Sequence, residues 1–381
     1  MTADRLLPSL LPQPGADHVA ARELARQYAP SDAVGDDGAE FREAWKRFAD
    51  FGVHRLTIPA RTLDVDTVLS TLEGLGEGTR NAGFLLSVGA HSFAAGAAIS
   101  RFGNEEQRPI LDLMRDGSVI VAFAATEPEA GSDVMSLRTS YVAVDDDYVL
   151  DGTKCFITNA WLADYSLIFA TKDRRLNWRG VAAFLVPRDT PGLSVGPPER
   201  LIGLGGCFMC TVHLDSVIVP GSAMLGRPGQ GSLVFRHAML WERSLLAPLA
   251  LGAMRRQLAD VIDLAVAPGR REETRAGHSG VARQAVDVAG RYIVGRLLVR
   301  DTITKLAADT LTPGQASLTK LWISEAELMT SRDLTAIDPT PELVSGLPRT
   351  GDLLNAIGAT IYSGTSDVQR KIVAAELGIL Q

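Results

Sequence analysis

The sequence predicts an α+β protein built as a helical N-terminal domain, a central β domain and a C-terminal helical bundle. Three observations carry this. Residues 17–118 repeat apolar side chains at helical spacing, the period shifts to that of strands from Ser118, and long helical patterns return beyond Pro220-Gly221. The expected boundaries are residues 1–117, 118–225 and 226–381. With 381 residues and 46% hydrophobic content, the chain is long enough for two or three packed units with cores of their own.

In the N-terminal part, Ala39 to Phe51 places Phe41, Trp45 and Phe48 on one helical face. Asp64 is positioned to cap a helix through Val68, Leu69 and Leu72, which Gly74, Gly76 and Gly78 are expected to break. Residues 82–100 carry no charge and are long enough to raise the question of a membrane span. Their Gly, Ala and Ser content, His91 and the lack of flanking aromatic anchors favour a buried helix. That helix ends at Phe102-Gly103, and Asn104 is positioned to cap another from Glu105 to Arg115.

The apolar run from Val119 to Ala125 reads as a buried strand. Residues 141–144 and 148–150 flank Asp145-Asp146-Asp147 as a hairpin. Further strands are expected at residues 155–158, 166–171, 181–187 and 210–219. Asp151-Gly152, Asn159, Pro187, Pro191-Gly192 and Pro197-Pro198 supply turns between them. Many short strands in about a hundred residues suggest a small barrel or sandwich. Helical patterns then cover residues 233–264, 280–306 and 316–332, with Pro248 expected to bend or interrupt the first. Residues 337–351 read as a connection, and a last helix runs from about Thr365 to Leu377.

The net charge of −7 and pI near 5.5 argue against a nucleic-acid surface but leave a nucleotide cofactor open. Three cysteines, Cys155, Cys207 and Cys210, are too few for a disulfide framework. Cys207-x-x-Cys210 has no second ligand pair nearby, so no zinc is expected, and a reducing cytosol fits. Residues 1–13 hold one basic residue and no cleavage pattern, so no signal peptide is expected.

The stretch Thr126-Glu-Pro-Glu-Ala-Gly-Ser-Asp133 follows the first strand. Strand, proline and small-residue loop bring backbone N–H groups and two hydroxyls to one rim, suited to a flat polar ligand edge or a phosphate. A plain turn is the simpler reading of the loop alone. With the β segment in place, residues 125–133 resemble the first signature of the acyl-CoA dehydrogenase family. Gly152-Thr-Lys-Cys-Phe-Ile-Thr-Asn159 resembles its second flavin segment. Phe102-Gly-Asn-Glu-Glu-Gln-Arg108, Leu214-Asp-Ser-Val-Ile-Val-Pro220 with Leu225-Gly226, and Tyr362-Ser-Gly-Thr-Ser-Asp-Val-Gln-Arg370 are similar to its other segments, in family order.

The resemblance implies the acyl-CoA dehydrogenase fold, with a C-terminal four-helix bundle, a homodimer or homotetramer, and FAD between β domain and bundle. It implies oxidation of an acyl thioester carried by CoA or a carrier protein, with an electron-transfer flavoprotein or similar acceptor and no nucleic-acid or membrane partner. Carried over by position, Phe123, Ala125 and Thr126 lie beside the flavin ring, with Gly131 and Ser132 near flavin and thioester. Phe156 stacks on or edges the flavin, Thr158 donates to its N5, and Thr365 and Asp367 contact the ribose and pyrophosphate region.

Such chemistry needs a shielded carboxylate to take the α-proton. Most members carry a Glu after the Tyr of the last signature, where this chain has Ser363. Met239-Leu-Trp-Glu242-Arg243 resembles the isovaleryl-CoA and long-chain branches, which place the base on the first long bundle helix. Helical arithmetic puts Phe235, Ala238, Met239, Glu242, Leu245, Leu246 and Leu249 on one face, with Glu242 as its carboxylate. Burial without a partner would raise its pKa; an ion pair with Arg243 or a neighbouring arginine is the alternative. Leu240, Trp241, Arg243, Ser132 and Ser363 fall on the substrate side, and the bulk of Leu240 and Trp241 points to a short or branched acyl group.

The chain also departs from the family pattern. It lacks the Gly-Gly pair before the last signature, has Arg275 without the usual Phe in Glu273-Thr-Arg-Ala-Gly277, and has a trimmed segment at residues 58–61. These departures suggest a specialised member in a natural-product pathway, such as polyketide biosynthesis, that holds the adenine half of FAD differently or more weakly. Arg174-Arg175 with Arg179, and Arg255-Arg256, are candidate basic patches for an acidic carrier, or else solvated surface charge. An oxidase or monooxygenase on the same fold, or a non-catalytic acyl or flavin binder, are the alternative functions.

Overall fold

The computed structural model describes residues 11–30, 38–58, 62–131, 136–266, 278–337 and 348–380. The N-terminal part forms α1 (Ala16–Tyr28), α2 (Ala39–Phe51), α3 (Val53–Thr57), α4 (Val65–Gly78), α5 (Ala82–Phe102) and α6 (Arg108–Arg115). The expected face of α2 holds, with Phe41, Trp45 and Phe48 buried. Asp64 caps α4 by accepting from Thr67 N at 3.1 Å. The glycines of α4 do not break it. A Cβ at Gly74, Gly76 or Gly78 would meet the carbonyl oxygens of His18, Leu249 and Arg22 at 2.3, 1.9 and 2.3 Å. They are the price of close approach between helices rather than stop signals.

Helix α5 is a core helix, buried from Gly83 to Ile99, and its middle turns, Gly89–Gly96, are π-helical. Asn104 does cap, accepting from the backbone of Glu106 and Gln107 at 3.1 and 3.0 Å, but the regular helix starts later, at Arg108.

Among the described residues, eight strands follow in one sheet: β1 (Val121–Ala124), β2 (Ser140–Val144), β3 (Asp147–Ile157), β4 (Tyr165–Thr171), β5 (Val181–Pro187), β6 (Leu193–Val195), β7 (Cys210–Pro220) and β8 (Met224–Leu225). The order is β6-β7-β3-β2-β4-β5-β8, with β1 parallel to β4. The hairpin β2–β3 is as expected. Asp151-Gly152, however, is no turn. β3 runs through it with bulges, because Gly152 at φ 150° lets the strand pass Thr139, whose Oγ1 would lie 2.6 Å from an added Cβ.

The last part comprises α7 (Gly231–Val266), α8 (His278–Ala307), α9 (Pro313–Ile337), α10 (Pro348–Ala359) and α11 (Ser366–Glu376). Helix α7 runs uninterrupted past Pro248. Helix α10 begins within the stretch expected to be only a connection.

The chain packs as two units assembled from separate segments. One takes residues up to Ala29, Asp64–Ala82 and those from Arg243 onward; the other takes Pro30–Leu63 and Gly83–Glu242. The second holds the sheet and a core of α5, α6, β1, β4, β5 and the first turns of α7, including Ala94, Ala98, Val121, Leu167, Ala183, Val234 and Met239.

Buried carboxylates anchor ion pairs in the first unit. Glu73 accepts from Arg296 Nε at 2.9 Å and from the Tyr292 hydroxyl. Asp352 pairs with Arg256 at 2.8 Å and with Arg80, which also reaches Asp260 at 2.7 Å. Glu327, 7% exposed, is pushed up to about 8 by burial and by the charge of Asp352, with Arg256 opposing. In the folded chain its carboxyl stays protonated where the unfolded chain ionises, so the folded state binds the extra proton. Its contribution to stability therefore falls as pH rises from about 4.5 to about 8. Glu327→Gln should gain on the parent across that window by several degrees in thermal midpoint. Melting curves at pH 5, 6.5 and 8 check this; a constant gap would contradict it.

Candidate functional site

In the sheet-bearing unit, β1 delivers its end to the loop at residues 126–131. Thr126 O accepts from Cys155 N at 3.0 Å, which seats the loop beside β3, and Glu127 and Ala130 bond each other's backbone across a tight turn. A buried ion pair beneath holds it. Lys154, 0% exposed, donates to Glu127 Oε1 at 2.7 Å and to Ala125 O at 3.2 Å. Glu127 also accepts from the backbone N–H of Arg138 and Thr139, at 2.6 and 3.1 Å. Burial lowers Lys154 from 10.5 to about 8, with Glu127 opposing. Burial alone would raise Glu127, but the charge and hydrogen bonds around it outweigh that and leave its carboxyl below its usual value. The pair is therefore ionised at neutral pH.

On that rim Phe156 stands out. Its neighbours Lys154, Cys155 and Ile157 are buried, yet it is 59% exposed and its backbone sits at φ 56°, a region an aromatic residue adopts only under constraint. Thr126 and Thr158 are half-buried, and their hydroxyls bond no other described residue. Asn159, at φ 68°, donates to Ser87 O at 2.9 Å and pins the strand's exit to α5. Phe123 is partly buried, its ring 5.1 Å from that of Phe169 and 6.0 Å from that of Phe235. Ala125 is buried. A Cβ on exposed Gly131 would meet nothing within 4 Å. Ser132 lies outside the described residues, as do Glu273 and Arg275.

Helix α7 brings Glu242 into this unit. Val234, Ala238 and Met239 pack in one core cluster with Ala125 and Val121, and Glu242 follows Ala238 and Met239 by one turn. Glu242 is 6% exposed. Trp241 is 9% exposed and lies 6.2 Å from the ring of His237, which meets Phe102 edge-on at 5.7 Å; Leu240 is half-buried.

The remaining site residues lie in the other unit, around a strained turn. Ser363 and Gly364 sit at φ 55° and 94°. Ser363 O accepts from Arg243 Nε and from Gln369 Nε2, both at 3.0 Å. Gly364 O accepts from Lys320 Nζ at 2.9 Å and Gln369 Nε2 at 2.8 Å. Arg243 Nη1 also reaches Ser317 Oγ at 3.3 Å. Arg243 thus shapes the turn that carries Ser363. Thr365 caps α11 through Val368 N at 3.3 Å, while Asp367 faces solvent and pairs with Arg370 at 3.2 Å. The Ser363 and Ser366 hydroxyls are buried without a partner among the described residues.

Two residues that bond beneath the rim, Glu127 and Lys154, are not legible in the sequence as a pair. The available signal was a lysine amid apolar strand residues, two before Phe156. The Arg255-Arg256 patch does not exist as a surface. Arg255 is 5% exposed and bonds Tyr292 and Glu77, and Arg256 bonds Asp352 and the carbonyls of Gly76 and Thr79. The cysteines are free and buried, and no group of three metal-ligating side chains occurs among the described residues.

The acyl-CoA dehydrogenase middle-domain family model matches residues 122–217, and the C-terminal-domain model matches residues 229–378. A Serratia protein described as an L-prolyl peptidyl-carrier-protein dehydrogenase is 30% identical over 88% of this chain and 89% of its own length. The crystal structure of the prolyl acyl carrier protein oxidase AnaB is 31% identical with a TM-score of 0.85, over 96% of this chain and 99% of that one. The FAD complex of PigA is 28% identical with a TM-score of 0.86, over 95% and 97%. The rim at Thr126, the β3 segment through Phe156 and the turn at Ser363-Gly364 all lie within the matched domains, and the chain belongs to the acyl-CoA dehydrogenase family, oxidoreductases that act on CH–CH bonds.

Proposed function

We propose that the chain dehydrogenates an acyl thioester presented by a carrier protein, using FAD, with Glu242 as the base. The observation that carries this is Glu242 itself: a carboxylate 6% exposed, one helical turn beyond a core packed against the strand that delivers the Thr126 loop. Shielding from water is what a base for a weakly acidic α-proton requires.

The rim fits a flavin. Phe156 offers an exposed ring held by a constrained backbone, Thr126 and Thr158 offer hydroxyls with no described partner, and the space over Gly131 is open. Phe123, Ala125, Thr126, Gly131, Ser132, Phe156 and Thr158 would hold the flavin ring. FAD bound there supplies the acceptor for the substrate's β-hydride. Glu242 takes the α-proton, and Leu240 and Trp241 bound the acyl group.

The carrier-bound substrate is supported by the names of the Serratia protein and AnaB, which makes an L-prolyl thioester the first group to try. AnaB's description as an oxidase favours a second reading, in which O₂ reoxidises the flavin in place of an electron-transfer flavoprotein. Stopped-flow mixing of reduced enzyme with air separates the two: fast reoxidation selects the oxidase. Exposed Val286, Val294 and Leu297 share one face of α8, which supports a homodimer or homotetramer. Anaerobic mixing with carrier-protein and CoA thioesters tests the main reading; failure of every thioester to bleach the flavin would reject it.

A further inference from the structure

Between β4 and β5 the chain makes a tight, exposed loop at residues 172–179. Four cations, Lys172, Arg174, Arg175 and Arg179, stand there against the one carboxylate of Asp173, in a chain of net charge −7. Asp173 is used locally, pairing with Arg175 at 2.7 Å and accepting from its backbone N at 2.9 Å. Lys172, Arg174 and Arg179 form no salt bridge with a described carboxylate. Two large apolar side chains sit among them, Trp178 at 51% and Leu176 at 40% exposure. The Arg179 guanidinium lies 5.0 Å from the Trp178 ring centroid.

This loop is built rather than slack. Lys172 N donates to Gly180 O at 3.0 Å and Leu176 N to Asp173 O at 3.0 Å. A Cβ at Gly180 would lie 2.7 Å from Asp173 O. Asn177 takes φ 49°, ψ −134°, a strained conformation, immediately before Trp178.

Its position matters as much as its charge. β1 and β4 are parallel, with Ala124 opposite Ile168, so the loop at residues 126–131 and the one at residues 172–179 leave the same end of the sheet. They are also tied together. Thr171 N donates to Thr139 O at 2.9 Å, and Thr139 N donates to Glu127 Oε1 at 3.1 Å.

We propose that residues 172–179 are the docking surface for an acidic, partly apolar face of the acyl carrier protein. This rests on the carrier-protein reading above. Cations around an exposed aromatic complement such a face, raise the rate of encounter and fix the carrier's orientation, while the tethered thioester reaches the rim at the same sheet end. Of the two arginine clusters that the sequence offers as candidate patches, it is the one that the fold leaves at the surface.

The test compares one acyl group on the carrier protein, on CoA and on free pantetheine, for the parent and for Arg174→Glu/Arg175→Glu/Arg179→Glu. The parent's kcat/KM on the carrier should fall with salt. The triple variant should lose about tenfold or more on the carrier, mainly through KM, and should lose its salt dependence. Pantetheine and CoA thioesters should be turned over as by the parent. Arg174→Gln/Arg179→Gln, the milder change, should give a smaller loss in the same direction, and Trp178→Ala a salt-independent one. Unchanged carrier kinetics in all variants would overturn the assignment. So would an equal loss on pantetheine, or a loss on CoA matching that on the carrier, which would make the loop a nucleotide site. A parent that turns over CoA thioesters but no carrier thioester would instead reject the carrier reading, and this assignment with it.

Discussion

Glu242→Gln should lower kcat by about 10²–10⁴-fold while leaving the chain folded and its flavin bound. Gln keeps the shape and a carbonyl oxygen but cannot accept the α-proton at neutral pH. The side chain is 6% exposed on a helix whose residues 241–250 are all buried, so a near-isosteric swap is the least disruptive probe. The defect should appear as slow flavin bleaching by substrate under anaerobic conditions, with melting and flavin content near those of the parent. Glu242→Asp should recover part of the rate, because the carboxylate is kept but withdrawn by one methylene. Bleaching by Glu242→Gln at the parental rate would place the base elsewhere and leave Glu242 a structural carboxylate.

Lys154→Met should cost about 3–5 kcal/mol, because it strands the Glu127 carboxylate in a buried site. Glu127 is 3% exposed and would keep the two backbone donors from Arg138 and Thr139 but lose its cation. The effect should not stay local. Lys154 also holds Ala125 O, and Cys155 N holds Thr126 O, so the loss loosens the loop expected to seat the flavin. The variant should purify with less flavin and melt earlier than the parent. Adding Glu127→Gln should return much of the lost stability, since a neutral pair has no stranded charge. Thermal melts followed by protein and by flavin fluorescence read both effects; a Lys154→Met variant that melts like the parent and keeps its flavin would contradict the role assigned to the pair.

Local order along the chain was readable because it leaves a period in the sequence. Phe41, Trp45 and Phe48 marked α2, the switch after Ser118 marked the sheet, and Asp64 marked the start of α4. What depends on partners distant in sequence was not readable. Gly74, Gly76 and Gly78 look like breaks until the carbonyls of His18, Leu249 and Arg22 are seen pressed against them. Asp151-Gly152 looks like a turn until Thr139 explains the bulge, and Pro248 sits within a helix that neighbouring turns sustain. Helix α10 is short and carries two glycines, Gly351 and Gly358, so its pattern resembles a loop.

The rim itself was legible as motifs, because Thr126, Phe156 and Thr158 fall in recognisable segments. Its support was not: Glu127 and Lys154 are 27 positions apart, and no spacing rule joins them. The same holds for Arg243, whose hold on Ser363 O spans 120 positions. The basic loop at residues 172–179 and the pair Arg255-Arg256 looked alike as charge. Packing separates them, by burying the second against Glu77, Tyr292 and Asp352.

The most direct measurement is anaerobic mixing of the FAD-loaded enzyme with a panel of carrier-protein thioesters, L-prolyl among them, followed in the flavin's visible band and by mass analysis of the carrier. Rapid bleaching by at least one carrier thioester is expected, with the acyl group lighter by two hydrogens, and loss of both signals in Glu242→Gln. An oxidised flavin after mixing with every carrier and CoA thioester, or a bleached flavin with an acyl group of unchanged mass, would contradict it.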